Sequence, residues 1–297
     1  MGTTNILIAL ICVSLWGANY TLLKEISLFM SPTMVTAIRL LLKGVTGVGF
    51  LKGKVTGQLK SLGMLAVTLF IIALILTSFA LKDMDASIIS MFLELEVVFV
   101  MLIEILVFNK LINKTLFTGL CLALTGVWLV LNSPDVEFHN LILILFAAAS
   151  SLSIAIASFQ VRSVKLPALD ITVWSALIGG LMSMGITLFD QPGEWLTLHE
   201  LNGAQTFLIL VSTAFSLVAF LAWNKLLTTC PIQKVSAFTL LIPVATVISS
   251  YLYYGTLIRW EAALGGLITI LGLGVQLAAP APVDKKENAF EQEEKFI

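Results

Sequence analysis

Charge is scarce in this chain. Asp, Glu, Lys and Arg make up 12% of its 297 residues, against about 25% in a soluble domain. Hydrophobic residues make up 58%, and the mean hydropathy is +1.00. A water-soluble protein of that composition would expose enough apolar surface to aggregate, so lipid is the solvent for most of the chain. Net charge is lacking too: the formal value is -1 and the pI about 6.1, which excludes the basic field that nucleic acid requires. Cysteine is sparse. Cys12, Cys121 and Cys230 are far apart with no CxxC between them, so neither a disulfide framework nor a metal site is implied. No G-x-x-x-x-G-K-[ST] loop occurs, which excludes ATP hydrolysis by this polypeptide. A G-x-S-x-G elbow, a histidine within an apolar run and a paired-aspartate metal motif are all missing, so the expectation is a non-enzyme without cofactors.

What the chain does have is apolar runs, and a bilayer core needs roughly 20 such residues per helix. Ten are predicted, over Thr4–Leu23, Ser31–Leu51, Ser61–Leu81, Ser87–Phe108, Thr115–Leu131, Leu141–Val161, Ala168–Phe189, Ala204–Leu227, Val235–Tyr254 and Glu261–Leu277. The expected class is an all-α integral membrane protein with ten transmembrane helices. The first run lacks a basic n-region and a small-x-small cleavage site, so it reads as a span rather than a signal peptide. Twelve of the 17 Lys and Arg residues fall in loops and termini on one side, and only Lys24, Lys82 and Arg259 on the other. The positive-inside rule then puts both termini in the cytoplasm. His139 and His199 fall outside, as solvated loop residues. Glu194–Leu201 reads as a short interfacial helix with Trp195 at headgroup level. The tail Asp284–Ile297 reads as charged and solvated.

The two halves match each other. A shift of 146 places Gly119 on Gly265, Gly126 on Gly272, Phe108 on Tyr254, Leu111 on Leu257 and Ser90 on Ser236. Near the start of each half the shift is 135 or 136, setting Asn5 on Asn140, Thr36 on Thr172 and Gly44 on Gly180. The expected units are residues 1–132 and 133–279, followed by the tail 280–297. Five spans per unit would turn the second upside-down relative to the first, the inverted repeat of secondary transporters. The glycines of the second, seventh and tenth spans permit close helix approach. Pro243 should break the ninth span near its middle, either lining a cavity or simply kinking the helix.

Ionisable residues inside the spans carry the most information, since each costs about 2.5–3.5 kcal/mol on an insertion scale. Arg39 and Lys43 share a face of the second span, and Glu94, Glu96 and Glu104 lie on the fourth. At 1.5 Å per residue Arg39 and Glu94 sit roughly 10–12 Å from the outer surface, Glu96 about 14 Å and Lys43 about 18 Å. Glu94 and Glu96 point about 160° apart around their helix. Glu94 is assigned to the cavity wall, and Glu96 to a neighbouring helix with Lys43 as its candidate partner. Glu104 lies near the cytoplasmic end, where it can snorkel. Two readings stand: a static ion-pair network, or charges that meet substrate. A desolvated carboxyl can load and release a proton, so Glu94 and Glu96 are the candidates for proton coupling. Trp16, Asn19, Tyr20, Ser90, Trp174, Thr239 and Pro243 complete the candidate substrate-binding set, and Ser150, Ser151 and Ser153 lie at a matching depth.

The WGANY motif at 16–20, the stretch from Pro32 to Arg39 and the glycine-paired spans that end each half resemble the EamA family of the drug/metabolite transporter superfamily. The resemblance covers residues 4–279. It implies two tandem units, cytoplasmic termini and a central cavity. It also implies movement of small metabolites, often amino acids and related compounds, across a bacterial inner membrane. The implied partners are a small-molecule substrate and the lipid bilayer. Members often carry Gly-Glu after the fourth and ninth spans, where this chain has Asn109-Lys110 and Gly255-Thr256. A multidrug or cation exporter of the same fold and a non-transporting membrane assembly subunit remain as alternatives.

Overall fold

The computed structural model describes residues 1–51, 55, 57–73, 76–77, 92–111, 113–131, 141–255, 260–280 and 283–284. They are almost entirely helical. The helices are α1 (Thr3–Ile26), α2 (Pro32–Val48), α3 (Leu59–Ala66), α4 (Leu95–Leu106), α5 (Lys114–Leu131), α6 (Leu141–Ser163), α7 (Ala168–Asp190), α8 (Gly203–Thr229), α9 (Ile232–Ser236), α10 (Ile242–Tyr254) and α11 (Trp260–Ala278). Six stretches among the described residues are long and apolar enough to cross a membrane: α1, α7, α8, α11, residues 145–163 of α6, and the composite Ile232–Tyr254. Short strands β1 (Lys110–Leu111) and β2 (Val283–Asp284) pair antiparallel. The charged tail therefore begins as a strand beside the turn that follows α4, and residues 285–297 lie outside the described residues.

Helix starts follow local chemistry. Ser31 caps α2 by accepting from Met34 N–H at 3.2 Å, with Pro32 as the first helical residue. Asn202 and Gln205 form a reciprocal capping box at the start of α8. Two irregular stretches interrupt the bundle. α3 continues as a π-helix over Val67–Ile72. Hydroxyls of α6 support that stretch, with Ser153 donating to Thr68 O at 2.8 Å and Ser150 to Ala73 O at 2.9 Å. The expected break at Pro243 takes the form of a 3-10 stretch, Ala237–Leu241, between α9 and α10. The cause is local. Residue 243 has no N–H to give Thr239 O, so Ile242 N–H donates there instead, one residue early.

α2 packs on α7, α5 on α11, α1 on both α8 and α10, and α4 on α6. Glycine sets the closest approaches. A Cβ at Gly44 would meet the Leu177 side chain at 2.3 Å, and one at Gly180 would meet Leu41 N at 2.9 Å. On the other pair, a Cβ at Gly126 would lie 2.4 Å from Thr269 N, and one at Gly272 would lie 2.4 Å from Ala123 N. Without water to solvate them, helices this close associate by packing alone.

The short helix expected after α7 is present. It is a 3-10 helix, Pro192–Glu200, and Trp195 packs into a cluster with Ile26, Met34 and Ile209. The Glu194 carboxylate explains the turn inward: it accepts from Ser31 N–H and Ser31 Oγ, clamping this segment to the start of α2. His199 is exposed, and its ring contacts the Leu196 carbonyl. His139 lies outside the described residues.

The glycine contacts predict a contrast. Gly126→Ala pushes backbone against backbone and should lower the melting temperature, with a cost of about 1–3 kcal/mol. Gly185→Ala and Gly274→Ala meet nothing within 4 Å, so they should leave it unchanged or raised. Thermal unfolding of the three variants in detergent checks this.

Candidate functional site

Arg39 and Lys43 lie one turn apart on α2, and both are buried. The Asn19 carboxamide on α1 is oriented with its oxygen toward Arg39 Nη2 at 2.7 Å and its nitrogen toward Ser212 Oγ at 2.6 Å; the reverse would set its NH2 against the guanidinium. Arg39 Nε has no partner. Lys43 Nζ donates to Ser216 Oγ at 2.9 Å and stands 4.7 Å from the Phe220 ring centroid and 5.9 Å from that of Phe70. Trp16 closes the aromatic group, edge-on to Phe220 and Trp223. Ser212, Ser216 and Phe220 sit four residues apart on α8, and that row of small hydroxyls on an apolar helix was the available sequence signal for this face.

Glu94 is buried at the start of α4, and its Oε2 has no partner. With Tyr20, Leu93, Ile242, Pro243 and Thr246 it lines a small pocket at the break between α9 and α10, with room for about one water molecule. Tyr20 is the exposed member, within electrostatic range of Arg39, Glu94 and Glu96. Thr239 adjoins Glu94 from the 3-10 stretch, while its own hydroxyl donates to Ser236 O at 2.8 Å. Glu96 turns to α6, where Ser158 Oγ donates to it at 3.3 Å.

The structure brings Asn19 together with Arg39, and Tyr20 with Glu94 and Pro243. It does not pair Glu96 with Lys43. Among the described residues no acid lies within 4.0 Å of either in-span cation, so these four charges form no ion-pair network. The reason is reach: Lys43 is engaged by α8, whereas Glu96 faces α6. Glu104 does not snorkel. It is 1% exposed and pairs with Lys110 at 2.8 Å, and the Gln233 amide reaches it at 3.0 Å. Trp174 is half-buried with an unpartnered Nε1, away from the pocket lining. Ser150 and Ser153 support the π-helix, and Ser151 bonds Ala148 O at 2.8 Å, so none of the three faces a cavity. Ser90 lies outside the described residues.

The two residues at the glycine position of the Gly-Glu pattern share a left-handed backbone. Asn109 has φ +52° and Gly255 has φ +68°. A left-handed residue is required at both, and Asn is the non-glycine residue that tolerates it best. Lys110, in place of glutamate, supplies the partner for Glu104. In a double-mutant cycle, Lys110→Ala should therefore be strongly destabilising, since it strands a buried carboxylate. The same change in a Glu104→Gln background should cost at least about 1 kcal/mol less. Thermal unfolding of the four proteins measures the difference.

The EamA-like transporter family matches residues 3–132 and again 141–277. A probable amino-acid metabolite efflux pump of Salmonella typhimurium strain LT2 is 24% identical over 280 residues, spanning 91% of this chain and 93% of the relative. A protein of the same description from Escherichia coli strain K12 is 24% identical over 281 residues, with the same coverage. A protein of known crystal structure superposes with a TM-score of 0.79 at 15% identity, covering 95% of this chain and 100% of the other, and so shares the fold. With two family matches spanning nearly all of its length and an apolar helical bundle around buried charges, the chain belongs to the EamA-like transporter family, a family of multi-pass membrane proteins.

Proposed function

We propose that the protein is a secondary transporter that moves a small polar metabolite, an amino acid or related compound, across a bacterial inner membrane by alternating access. The observation that carries this reading is the presence of two unsatisfied buried groups within electrostatic range of Tyr20. Arg39 Nε and Glu94 Oε2 each lack a partner, and no ion pair neutralises either side chain among the described residues. A buried charge held only by neutral groups is costly. A zwitterion offers a carboxylate to one and an ammonium to the other, and its arrival removes both deficits. The small pocket lined by Tyr20, Glu94 and Pro243 lies at the Glu94 end of such a site. The two related efflux pumps support the substrate class.

Alternating access needs two near-equivalent packings, and the contacts between the halves support them. Leu41 against Gly180 is the counterpart of Leu177 against Gly44 under a shift of 136. Ala123 against Gly272 is the counterpart of Thr269 against Gly126 under a shift of 146. Reciprocal contacts of this kind are what a two-fold axis between residues 1–132 and 133–279 would generate. On this reading ten helices cross the bilayer as two inverted five-helix units, with both termini cytoplasmic. Glu94 and Glu96 are the groups available to couple transport to a proton gradient.

Reconstituted into proteoliposomes, Arg39→Leu and Glu94→Gln should each reduce amino-acid uptake or counterflow to background while both variants still insert and remain monodisperse. Wild-type rates in both would overturn the assignment. Transport that ignores an imposed pH gradient would remove the proton from the mechanism without touching the substrate site.

A further inference from the structure

We infer that the oxygen cluster around Glu96, between α4, α6 and the α9 break, is a binding site for a monovalent cation, with sodium the ion that fits it. Its members come from three elements: Glu96 from α4, Ser158 from α6 and Ser236 from the end of α9, with Glu94 and Thr239 adjoining. Each of the five is more than nine-tenths buried. Ser236 Oγ is fully buried next to the Glu96 carboxyl, yet makes no hydrogen bond of good geometry. A buried hydroxyl oxygen beside a carboxylate, with no well-formed hydrogen bond of its own, is a group that an electron-poor guest would complete.

Charge balance points the same way. Two carboxylates share this corner of the bundle, and the cations that sequence proximity would assign to them are engaged elsewhere, Lys43 by Ser216 and Arg39 by Asn19. The remaining acid of α4, Glu104, already holds Lys110. Among the described residues, the groups named beside the cluster from the other packed elements are hydroxyls and the Tyr20 phenol, none of them cationic. The spacing also fits. Sodium has nearly the radius of calcium, whose oxygen ligands lie at about 2.3–2.6 Å; two ligands at right angles around such an ion stand roughly 3.3–3.7 Å apart. Ser158 Oγ and Glu96 Oε1 are 3.3 Å apart, long for a hydroxyl-carboxylate hydrogen bond. Ser158 also makes only a 3.3 Å bond to Ile154 O, so its hydroxyl is free to turn. The dehydration cost of an ion rises with the square of its charge, which favours a monovalent guest in a corner with so little water. The broken helix beside it is the feature from which transporters build such sites.

This inference rests on the transporter reading only for its purpose. An ion here lies next to the Glu94 pocket, so its occupancy would set the charge that a substrate meets. Binding itself is read on the purified protein. Thermal unfolding in detergent at constant ionic strength, with choline chloride exchanged for sodium chloride, should show a saturable rise of about 2–4 °C in melting temperature. Potassium and calcium chlorides should not reproduce it. Glu96→Gln should abolish the rise. Ser236→Ala and Ser158→Ala, which preserve the charge and so test the site even if Glu96→Gln does not fold, should each raise the midpoint sodium concentration at least tenfold. Cys121→Ser, on an exposed face of α5, should respond as wild type. Equal effects of sodium, potassium and choline would overturn the proposal. So would a response to calcium alone, a melting temperature that moves only with pH, or serine variants with unchanged midpoints. None of these outcomes bears on transport of the metabolite, and a protein inactive in proteoliposomes that still binds sodium would separate the two readings in the other direction.

Discussion

Lipid cannot solvate a polar atom, and every irregular feature of this bundle follows from that constraint. The π-helical stretch in the third apolar run exists beside a row of serines that answer its carbonyls. The 3-10 stretch before Pro243 exists because a neighbouring N–H takes over the carbonyl that proline cannot serve. The clamp from Glu194 to Ser31 satisfies the first backbone donor of α2 with a carboxylate, which the positive end of the helix dipole also favours. At several of these places the chain satisfies a polar group with a short neutral side chain from an adjacent helix. Among the groups it leaves unsatisfied are Arg39 Nε, Glu94 Oε2 and Ser236 Oγ, which belong to the proposed sites.

The in-span charges show how the constraint sorts structure from function. Glu104 with Lys110 and Gln233 is a completed set, closed at one end of the bundle, and its removal would be felt as lost stability. Arg39, Lys43, Glu94 and Glu96 are incomplete sets. Their neutral partners fix each side chain in place without cancelling its charge, and a direct ion pair would have cancelled it. A bundle that paired Lys43 with Glu96 would be easier to insert and harder to use, because a ligand would first have to break the pair. Holding Lys43 over the Phe220 and Phe70 rings keeps it ordered at modest cost while its field stays available.

Much of the helical pattern was legible in the sequence, because a lipid-solvated helix announces itself by its length and apolarity. The close helix approaches were legible too, since glycines spaced in register between the halves have few other uses. Partner choice was not. Sequence depth placed Lys43 and Glu96 at similar levels, but depth says nothing about azimuth between different helices, and the two face opposite neighbours. Glu104 misled for a related reason: nearness to a helix end implied snorkelling, but the turn at Asn109 folds Lys110 back onto it. The amphipathic pattern around Trp195 announced a short helix but not what holds it. What decided its place was Ser31, far away in the chain, capturing the adjacent Glu194. Ser158, Ser212, Ser216 and Ser236 were hidden among hydroxyls that mostly bond their own backbone.

On the two-unit reading, scaffold and chemistry divide unevenly between the halves. The packing glycines recur in both, and so does the left-handed residue that follows the fourth and ninth runs, as Asn109 and Gly255. The charges do not recur. Under the shifts that align the glycines, Arg39 falls on Ser175, Lys43 on Gly179, Glu94 on Leu240 and Glu96 on Ile242. The replacement of Lys43 by Gly179 serves the site itself. A Cβ at Gly179 would lie 2.6 Å from Phe70, so the missing side chain is what lets Phe70 settle beneath the ammonium of Lys43. Symmetric packing gives two conformations of similar energy, whereas an asymmetric site gives a ligand one orientation in both. A transporter needs each of these properties, and they tolerate sequence change differently. Glycine contacts fail by overlap and must be kept in both halves, but a charge needs only one copy and a counterpart small enough to make room for it.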